Sequence, residues 1–355
     1  MAIRVLFLTR YARLGASSRL RSYQYLPYLK EAGFEATVAP LFGDDYVRSL
    51  YSGEISTVAV FKSYIDRLRF ILKVRHFNLV WVEYEMLPWL PDWIELGLLP
   101  GRVPLVVDYD DAIFHRYDQH RLALVRRVLG KKIDDIMRRA DLVIVGNDYL
   151  GACARQAGAK HVELLPTVVD GTRYAVIEKN DASPVTIGWI GSPATAQYLK
   201  LVAPALRAMS VSHNARFVAI GANSSQLQGL PIEIRPWSED TEASEIQQFD
   251  IGIMPLPDDL WERGKCGYKL IQYMASGKPV VASPVGVNSV IVHQGVNGFL
   301  ANTNSEWCNS LGLLCEDSAL RKRMGDAGRS RMERDYSLQV AAPRLAELLR
   351  SVVNK

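Results

Sequence analysis

Short apolar runs, each followed by a polar loop, recur along the chain and constrain its fold more than any other feature. They cover residues 4–10, 35–41, 79–84, 105–110, 142–147 and 162–167 in the first half, and 185–191, 216–221, 232–237, 250–256 and 279–283 in the second. Stretches with a helical spacing of apolar residues separate these runs. Because parallel strands need crossover connections, the alternation predicts an α/β fold with parallel sheets, once in each half.

The length of 355 residues and the 48% hydrophobic content are sufficient for two cores of ordinary size. Residues 169–184 are polar and irregular, with Asp170 and Gly171 near one end and residues 179–183 near the other. This composition is typical of a linker. We therefore expect a first domain at residues 1–175, a second at residues 182–336, and a C-terminal helix within residues 337–355.

The positive charge of the chain is concentrated in its first half. The net charge is +4, and residues 1–175 hold 24 Lys and Arg against 20 Asp and Glu. Residues 62–76 form one basic block, with Ile65, Leu68, Ile71 and Leu72 along a helical stripe, and residues 116–139 form a second block. Two interpretations stay open: solvated outer faces of helices, or a surface for anionic lipid. Neither block interleaves exposed aromatic residues with the charges or carries a known nucleic-acid motif, which argues against nucleic acid.

The apolar runs, the first residues and the cysteines indicate where the protein is located and whether it holds a metal. No run approaches about 18 consecutive apolar residues, and the first residues lack the layout of a signal peptide, so we expect a cytoplasmic protein. The four cysteines have no metal-site spacing and are too few for a disulfide framework, so we expect reduced thiols and no structural metal. They are Cys153, Cys266, Cys308 and Cys315.

The stretch GKCGYKLIQYMASGKPVVASPVGVN, residues 264–288, predicts a loop, a short helix, a turn and a buried strand. Gly267 allows a tight turn into the helix, and Gly277 ends it. On this helix Lys265, Lys269 and Gln272 are spaced i, i+4 and i+7, so they share one face, with the two lysines in the first turns. A helix N-terminus carries roughly half a positive charge, so this face predicts a diphosphate site. The alternative is a solvated helix face.

Other candidate binding residues follow predicted strands. Gly15 lies in a small-residue loop before a helix, Gly191 and Ser192 begin another helix ahead of Pro193, and Trp237 ends a strand. Ligands of open parallel sheets bind at this end of the strands. Tight turns and core packing are the alternative explanations for these residues.

A cluster of carboxylates follows the run 105–107. Asp108, Asp110 and Asp111 would point out of the carboxyl end of a parallel strand, where they could bind a metal, act as a general base or orient sugar hydroxyls. An Asp-x-Asp motif is typical of metal-dependent sugar transferases with a single-domain fold, but that fold leaves the second half of the chain unexplained. His115 follows the cluster and is expected at the surface.

Residues 264–282 resemble the donor-binding segment of retaining glycosyltransferases with the GT-B fold, the large family four (glycosyltransferase group 1). That family shows E-x-F-G-x-x-x-x-E-A-M-A-x-G-x-P-V-V-A. The matching positions here are Gly264, Cys266, Gly267, Gln272, Tyr273, Met274, Ala275, Gly277, Pro279, Val280, Val281 and Ala282. Both family glutamates are replaced: Gln272 is the candidate for the ribose hydroxyls, and Glu262 is the nearest substitute for the carboxylate at the donor sugar.

The resemblance implies two facing Rossmann-like domains with a central cleft, and a last helix that returns to the first domain. It places Gly15 beside the cleft and Trp237 near the nucleobase, and it aligns Asp110 and Asp111 with a family His-Asp pair. The basic groups that usually grip the donor diphosphate are replaced by Ser192 and Gln197. Lys265 and Lys269 are the expected compensation.

The function implied is transfer of a hexosyl-type unit from a nucleotide diphosphate sugar to a hydroxyl of a saccharide or lipid-linked acceptor, in the synthesis of cell-surface polysaccharide. Retention of configuration follows from the resemblance only. We expect no cofactor and no metal, with Asp110, Asp111 and Lys265 as catalytic residues, and a peripheral contact with anionic membrane at its inner face. The alternative is a non-catalytic subunit that binds nucleotide sugar or acts as a scaffold. A nicotinamide enzyme ranks third because no strand precedes G-x-G-x-x-G.

Overall fold

A computed structural model describes residues 2–54, 56–101, 103–177 and 184–354. Residues 178–183 of the predicted linker lie outside the described residues. The chain divides into two compact units. The first comprises Met1–Thr167, Gly264–Cys266 and Ala341–Lys355, and the second comprises Val168–Arg263 and Gly267–Val340.

In the first unit, the described residues form a six-stranded parallel sheet. Its strands are β1 (Ile3–Leu8), β2 (Phe34–Val38), β3 (Leu79–Glu83), β4 (Leu105–Tyr109), β5 (Leu142–Val145) and β6 (Val162–Leu164). They lie in the order β2-β1-β3-β4-β5-β6. β3, β4 and β5 are buried along their whole lengths, because helices cover both faces of a parallel sheet. This burial explains the apolar runs at residues 79–82, 105–107 and 142–145.

Helices connect these strands. They are α1 (Ala16–Arg21), α2 (Leu26–Glu31), α3 (Asp44–Ser52), α4 (Thr57–Ile71), α5 (Asp92–Gly97), α6 (His115–Asp118), α7 (Ala123–Leu129), α8 (Lys132–Arg139) and α9 (Asp148–Gln156). The order of strands reverses at β1 and β3, because β2 lies on one side of β1 and the later strands lie on the other. Ligands of such sheets bind at the point of reversal, beyond the carboxyl ends of the strands.

In the second unit, the described residues form another six-stranded parallel sheet. Its strands are β7 (Thr186–Ile190), β8 (Arg216–Ile220), β9 (Ile232–Arg235), β10 (Ile251–Met254), β11 (Val280–Ala282) and β12 (Gly298–Leu300), in the order β12-β11-β10-β7-β8-β9. The order reverses between β7 and β10. The sequence had not predicted β12.

Two strand glycines allow close packing: a Cβ at Gly188 would lie 2.1 Å from the Phe249 ring, and one at Gly252 would lie 2.3 Å from the Tyr273 ring.

The helices of the second unit are α10 (Pro193–Ala196), α11 (Ala203–Ser212), α12 (Glu242–Gln247), α13 (Leu260–Arg263), α14 (Tyr268–Ala275), α15 (Asn288–Ile291), α16 (Asn304–Glu316) and α17 (Ser318–Asp335). The last helix, α18 (Leu338–Val353), begins in the second unit, and its residues from Ala341 onward group with the first. Among the described residues, no helix is long and apolar enough to cross a membrane.

The start of the predicted linker packs within the second unit. The N–H group of Val169 donates to Tyr336 O (3.1 Å), and the N–H group of Leu338 donates to Val169 O (2.8 Å). Tyr174 is buried in the same core. The second unit therefore already begins at Val168, ahead of the irregular residues.

Both basic blocks differ in part from their predicted form. The helix predicted from Lys62 to His76 is α4, which ends at Ile71, followed by a separate 3-10 turn. Arg67 is buried, and its Nη2 donates to Thr9 O. In the second block, Lys132 is fully buried. Neither cation belongs to a solvated face, because buried carbonyl and carboxylate oxygens are their partners.

Candidate functional site

In the second unit, Lys269 lies in the first turn of α14, close to the glycine turn that follows β7. Its Nζ lies 5.6 Å from the centre of the Trp189 ring. A Cβ at Gly191 would lie 2.7 Å from Lys269 Cε and 2.6 Å from Trp189 Cζ2. Glycine is thus required at position 191 for the lysine stem and the indole to pack there. This arrangement places an ammonium group at the point where the strand order reverses.

The helix that was predicted to carry both lysines carries only one. α14 begins at Tyr268, after Gly267 in the left-handed conformation (φ 66°). A Cβ at Gly267 would also lie 2.3 Å from Ile291 Cδ1. Lys265 precedes this turn and groups with the first unit. The prediction of one helix face shared by Lys265, Lys269 and Gln272 was therefore wrong, because the chain changes direction at Gly267.

Gln272 and Trp237 belong to one buried hydrogen-bond chain. Gln272 Nε2 donates to the Tyr174 hydroxyl (3.0 Å), and this hydroxyl donates to Glu242 Oε1 (3.4 Å). Trp237 Nε1 donates to the other oxygen of Glu242 (3.1 Å). Arg173 pairs with the same carboxylate at 3.4 Å. Glu242 thus connects Trp237 and, through Tyr174, Gln272. The sequence did not single out Glu242, although it lies in the first turn of α12.

Two further residues of the second unit are placed as follows. Ser192 precedes α10 as its N-cap residue, with Pro193 in the first turn, but its side chain makes no capping hydrogen bond. Glu262, the substitute proposed for a family glutamate, is buried in α13 and accepts a hydrogen bond from the Tyr198 hydroxyl.

In the first unit, Asp108 is committed to a buried ion pair. Arg21 Nε and Nη2 donate to its two oxygens, at 3.0 and 2.6 Å. Burial raises the pKa of Asp108, and the guanidinium opposes this effect. Arg21 Nη1 also donates to Leu165 O (2.8 Å). Since both carboxylate oxygens of Asp108 accept hydrogen bonds from Arg21, neither oxygen is open to a ligand or metal.

Asp110 accepts a hydrogen bond from the Tyr84 hydroxyl. Tyr84 has a left-handed backbone (φ 64°), a strained conformation for a tyrosine, and its hydroxyl also lies 3.1 Å from Ser17 Oγ. Burial and the nearby carboxylates raise the pKa of Tyr84 well above its usual value, so the phenol keeps its proton as a donor.

Gly15 precedes α1 and packs on Tyr11, where a Cβ would lie 2.3 Å from Tyr11 Cβ.

Asp111 forms an ion pair with Lys265, at 3.6 Å between Oδ2 and Nζ. Burial raises the pKa of Asp111, and Lys265 opposes the shift. The Asn147 side chain, which the sequence did not single out, donates to the carbonyl oxygens of Gly264 (2.8 Å) and Lys265 (3.0 Å). Two of the predicted catalytic residues, Asp111 and Lys265, thus lie together in the first unit.

Two glutamates on and after β3 complete the charged end of this sheet. Glu83 accepts from Arg10 N (3.0 Å) and Ser18 Oγ (2.6 Å), and burial raises its pKa to about 8. Glu85 pairs with Lys132 (2.8 Å) and Arg10 (3.0 Å). Burial disfavours the charge of Glu85, but the two cations bring its pKa below the usual value.

His115 is mostly buried, contrary to the prediction of a surface residue, with a side chain 10% exposed. Its Nε2 lies 2.7 Å from the Tyr149 hydroxyl, and its Nδ1 lies 3.0 Å from Asp118 Oδ1. Within the described parts of the chain, no group of three or more His, Cys, Asp or Glu side chains is arranged to hold a metal ion.

Residues 184–317 match the family model described as Glycosyl transferases group 1. Anabaena Alr3699/HepE, solved in complex with UDP, has a TM-score of 0.70 and 16% identity over 99% of this chain and 100% of that chain. A structure of the same protein in complex with UDP-glucose gives 0.73 and 17%, over 98% and 100%. This chain has the GT-B glycosyltransferase fold. Sucrose-phosphate synthase (tll1590) from Thermosynechococcus elongatus matches at 0.73, with 15% identity over 99% of each chain.

One curated relative is also similar in sequence. It is a Bacillus subtilis (strain 168) protein named as a teichuronic acid biosynthesis glycosyltransferase, TuaH, 24% identical over 179 residues. The match spans 44% of this chain and 44% of that relative. The GT-B fold and the resemblance to group 1 glycosyltransferases are thereby confirmed. Retention of configuration is not tested by these similarities.

Proposed function

We propose that this protein transfers a hexosyl-type unit from a nucleotide diphosphate sugar to a hydroxyl of a saccharide or lipid-linked acceptor. The observation that carries this proposal is the ammonium group of Lys269, packed over Trp189 at the Gly191 turn. It lies in the segment that matches the glycosyltransferase family. Structures of HepE in complex with UDP and UDP-glucose support the choice of donor class.

The second unit is assigned the binding of the donor. Lys269 would contact the diphosphate, as cations do in most phosphate sites. The buried carboxylate of Glu242 holds Trp237 and Tyr174 in fixed positions, and Tyr174 in turn holds Gln272. Trp237, the partly exposed member of this cluster, would contact the nucleoside part of a donor, since Tyr174 and Gln272 are buried.

The first unit is assigned the catalytic side chains Asp110, Asp111 and Lys265. Lys265 would stabilise the departing diphosphate in place of a metal ion, and such an electrostatic contribution is typically the largest in an active site. Asp110 and Asp111 would stabilise positive charge on the sugar or orient the acceptor hydroxyl. Retention, and a role in cell-surface polysaccharide synthesis as named for TuaH, belong to this proposal.

Nucleotide binding and turnover test the proposal separately. UDP, GDP and ADP and their common sugars are screened by thermal shift, where a ligand at 100 times its Kd stabilises by roughly 2.7 kcal/mol. The donor so identified is then assayed for transfer and for slow hydrolysis, with and without chelator. We expect one nucleotide series to bind, with turnover that survives chelation. Turnover lost in chelator and restored by manganese would instead make Asp110 and Asp111 metal ligands.

A specific observation keeps a second candidate function, a non-catalytic nucleotide-sugar-binding or scaffolding subunit. Gly264 stands where the family has a glutamate at the donor sugar, and a Cβ there would lie 2.5 Å from Ala112 Cβ. No side chain fits at this position without a shift of the backbone. A protein that binds the donor but catalyses neither transfer nor hydrolysis with any acceptor would decide for this second function.

We further propose that the outer face of α4 contacts anionic membrane. This face consists of Val58, Phe61, Lys62, Ile65 and Arg69 of α4, with Leu72 and Lys73 directly after the helix. Phe61 and Leu72 are 69% and 67% exposed. Arg69 is paired with Asp66 (2.7 Å), so the lysines are the better candidates for lipid headgroups. Exposed apolar side chains beside cations are typical of helices that lie on anionic lipid.

Co-sedimentation with vesicles of phosphatidylglycerol and phosphatidylcholine tests this surface. The variant Phe61→Ser/Lys62→Gln/Lys73→Gln is expected to lose most binding at low salt. Its control, Lys160→Gln/Lys200→Gln, removes two exposed lysines elsewhere in the chain and should bind normally. Equal binding by both variants would show that α4 has no part in membrane contact.

A further inference from the structure

The segment Gly264–Cys266 lies in sequence between α13 and α14 of the second unit, yet it packs with the first unit. We propose that Asn147 is a positioning residue, which holds Lys265 beside Asp111 by fastening this segment to the end of β5. The expected effect on turnover rests on the proposed transfer reaction. The anchoring of the segment by Asn147 is a property of the fold and does not depend on that reaction.

The amide of Asn147 has two separate tasks. Its Oδ1 accepts the N–H of Leu150 (2.9 Å) and so caps the N-terminus of α9. Its Nδ2 donates to the carbonyl oxygens of Gly264 (2.8 Å) and Lys265 (3.0 Å). Asn147 is also 3% exposed, so both carbonyl contacts are screened little by water. Aspartate would keep the cap but has no N–H to donate, and the shorter serine would keep the cap with a single O–H, so neither could donate to both carbonyls.

Close packing reinforces these hydrogen bonds. A Cβ at Gly146 would lie 2.2 Å from Cys266 Sγ, so the segment passes directly over the backbone at the end of β5. The thiol of Cys266 donates to Asp110 O (3.1 Å), which ties the segment to the carboxylate loop as well. β4 and β5 are neighbours, with Tyr109 opposite Val145. Asp110, Asp111 and Asn147 therefore emerge side by side.

The consequence concerns where the ammonium of Lys265 can lie. A lysine side chain is long and flexible, so its reach is set by where its backbone is anchored. With the carbonyls of Gly264 and Lys265 held by Asn147, Nζ lies 3.6 Å from Asp111 Oδ2. Without that anchor, the same side chain has more positions, and misplacement of a catalytic group by about 1 Å costs on the order of 100-fold in rate.

The experiment removes the N–H groups of Asn147 that hold the two carbonyls but keeps an oxygen that caps α9. Asn147→Ser and Asn147→Asp are made in the full chain, with Asp317→Ser as the matched control, since Asp317 caps α17 through Leu320 N (2.8 Å). Labelling of Cys266 by iodoacetamide is followed by peptide mass spectrometry, with Cys153, Cys308 and Cys315 as internal references. We expect about 10-fold faster labelling of Cys266 in both Asn147 variants, and an unchanged rate in Asp317→Ser. Unchanged labelling in the Asn147 variants overturns the fastening.

Turnover gives the second readout. Misplacement of the Lys265 ammonium should lower kcat about 10- to 30-fold, less than the roughly 100-fold cost of a 1 Å displacement, with little change in the KM for donor. Because Asn147 acts through Lys265, Asn147→Ser should cost less than about twofold when added to Lys265→Ala. Rates that multiply independently in the double variant, or faster labelling with unchanged kcat, overturn the positioning role. A wild-type protein without turnover refutes the proposed reaction and leaves the labelling result to judge the fastening.

Discussion

Lys265 and Lys269 are four positions apart in the sequence, but they belong to different units and have different partners. Lys265 lies 3.6 Å from the carboxylate of Asp111, whereas Lys269 packs over the indole ring of Trp189. The left-handed turn at Gly267 separates them. Two cations that look like one anion site in the sequence are thus assigned different tasks, one beside a carboxylate and one beside a glycine turn.

The same difference extends to the ends of the two sheets. In the first unit, the carboxyl ends of β3 and β4 carry acids, and two buried acids there have fixed cations, in the pairs Arg21–Asp108 and Lys132–Glu85. In the second unit, β7 and β8 end in Gly191 and Gly221, and a Cβ at either position would clash with neighbouring atoms. In the proposed reaction, the first end would face hydroxyl groups and developing positive charge, and the second end would present the Lys269 ammonium to the diphosphate.

The largest effect is expected from Lys265→Ala. If Lys265 stabilises charge that builds up as the glycosyl bond breaks, its loss should lower kcat by roughly 30- to 1,000-fold, or about 2 to 4 kcal/mol. Donor affinity should change much less, because the contact strengthens only in the transition state. Calorimetric titration with donor and steady-state rates give the two quantities.

Lys269→Ala is the counterpart in the other unit, and there we expect weaker donor binding as the main effect. Lys269→Arg keeps the cation over Trp189 and should recover part of the affinity. If both alanine variants lost affinity and rate equally, the two lysines would share one task and the contrast between them would disappear.

Burial explains how much of this fold the sequence could predict. β3, β4 and β5 are covered on both faces, so each begins with an apolar run of three or four residues that indicates a parallel strand. β12 has only three residues, two of them partly exposed, and gave no comparable signal. The turn at Gly267 into α14 was predicted, but Lys265, which precedes this turn, was wrongly counted on the helix face, because side-chain spacing does not show where a glycine reverses the chain.

The candidate site was predictable in its residue types but not in its partners. Asp110 and Asp111 follow a strand that was identified correctly, so their position at the carboxyl end of the sheet was expected. Tyr84 and Asn147 reach this site from other strands, and the contact between Asn147 and Lys265 joins residues 118 positions apart. Only the order of strands in the sheet brings such residues together.

A smaller effect is expected when the turn that separates the lysines is stiffened. Gly267→Ala would force alanine into the left-handed region, which costs about 1 to 2 kcal/mol, and would also press on Ile291 Cδ1 at 2.3 Å. Gly295→Ala is the matched control in the same unit, because Gly295 has φ 75° and a Cβ added there would meet no atom within 4 Å. Chemical denaturation should show a larger loss for Gly267→Ala. Equal losses of stability would mean that the contact with Ile291 costs nothing and that only the left-handed backbone makes glycine necessary at position 267.

The final comparison concerns pH and isolates the acidic end of the first sheet. Burial raises the pKa of Glu83 from 4.5 to about 8, so the folded state holds this proton more tightly than the unfolded state does. Its contribution to stability is fully present below about pH 4.5 and is lost as the pH rises through about 8. Glu83→Gln removes this titration and keeps an acceptor for Ser18, so the fall in Tm between pH 5 and pH 8 should become shallower. Glu347→Gln, an exposed change on α18, should leave the wild-type slope. A Glu83→Gln variant with the full wild-type fall would show that Glu83 stays ionised in the fold, and that the acids of this sheet end are balanced by their cations like Glu85.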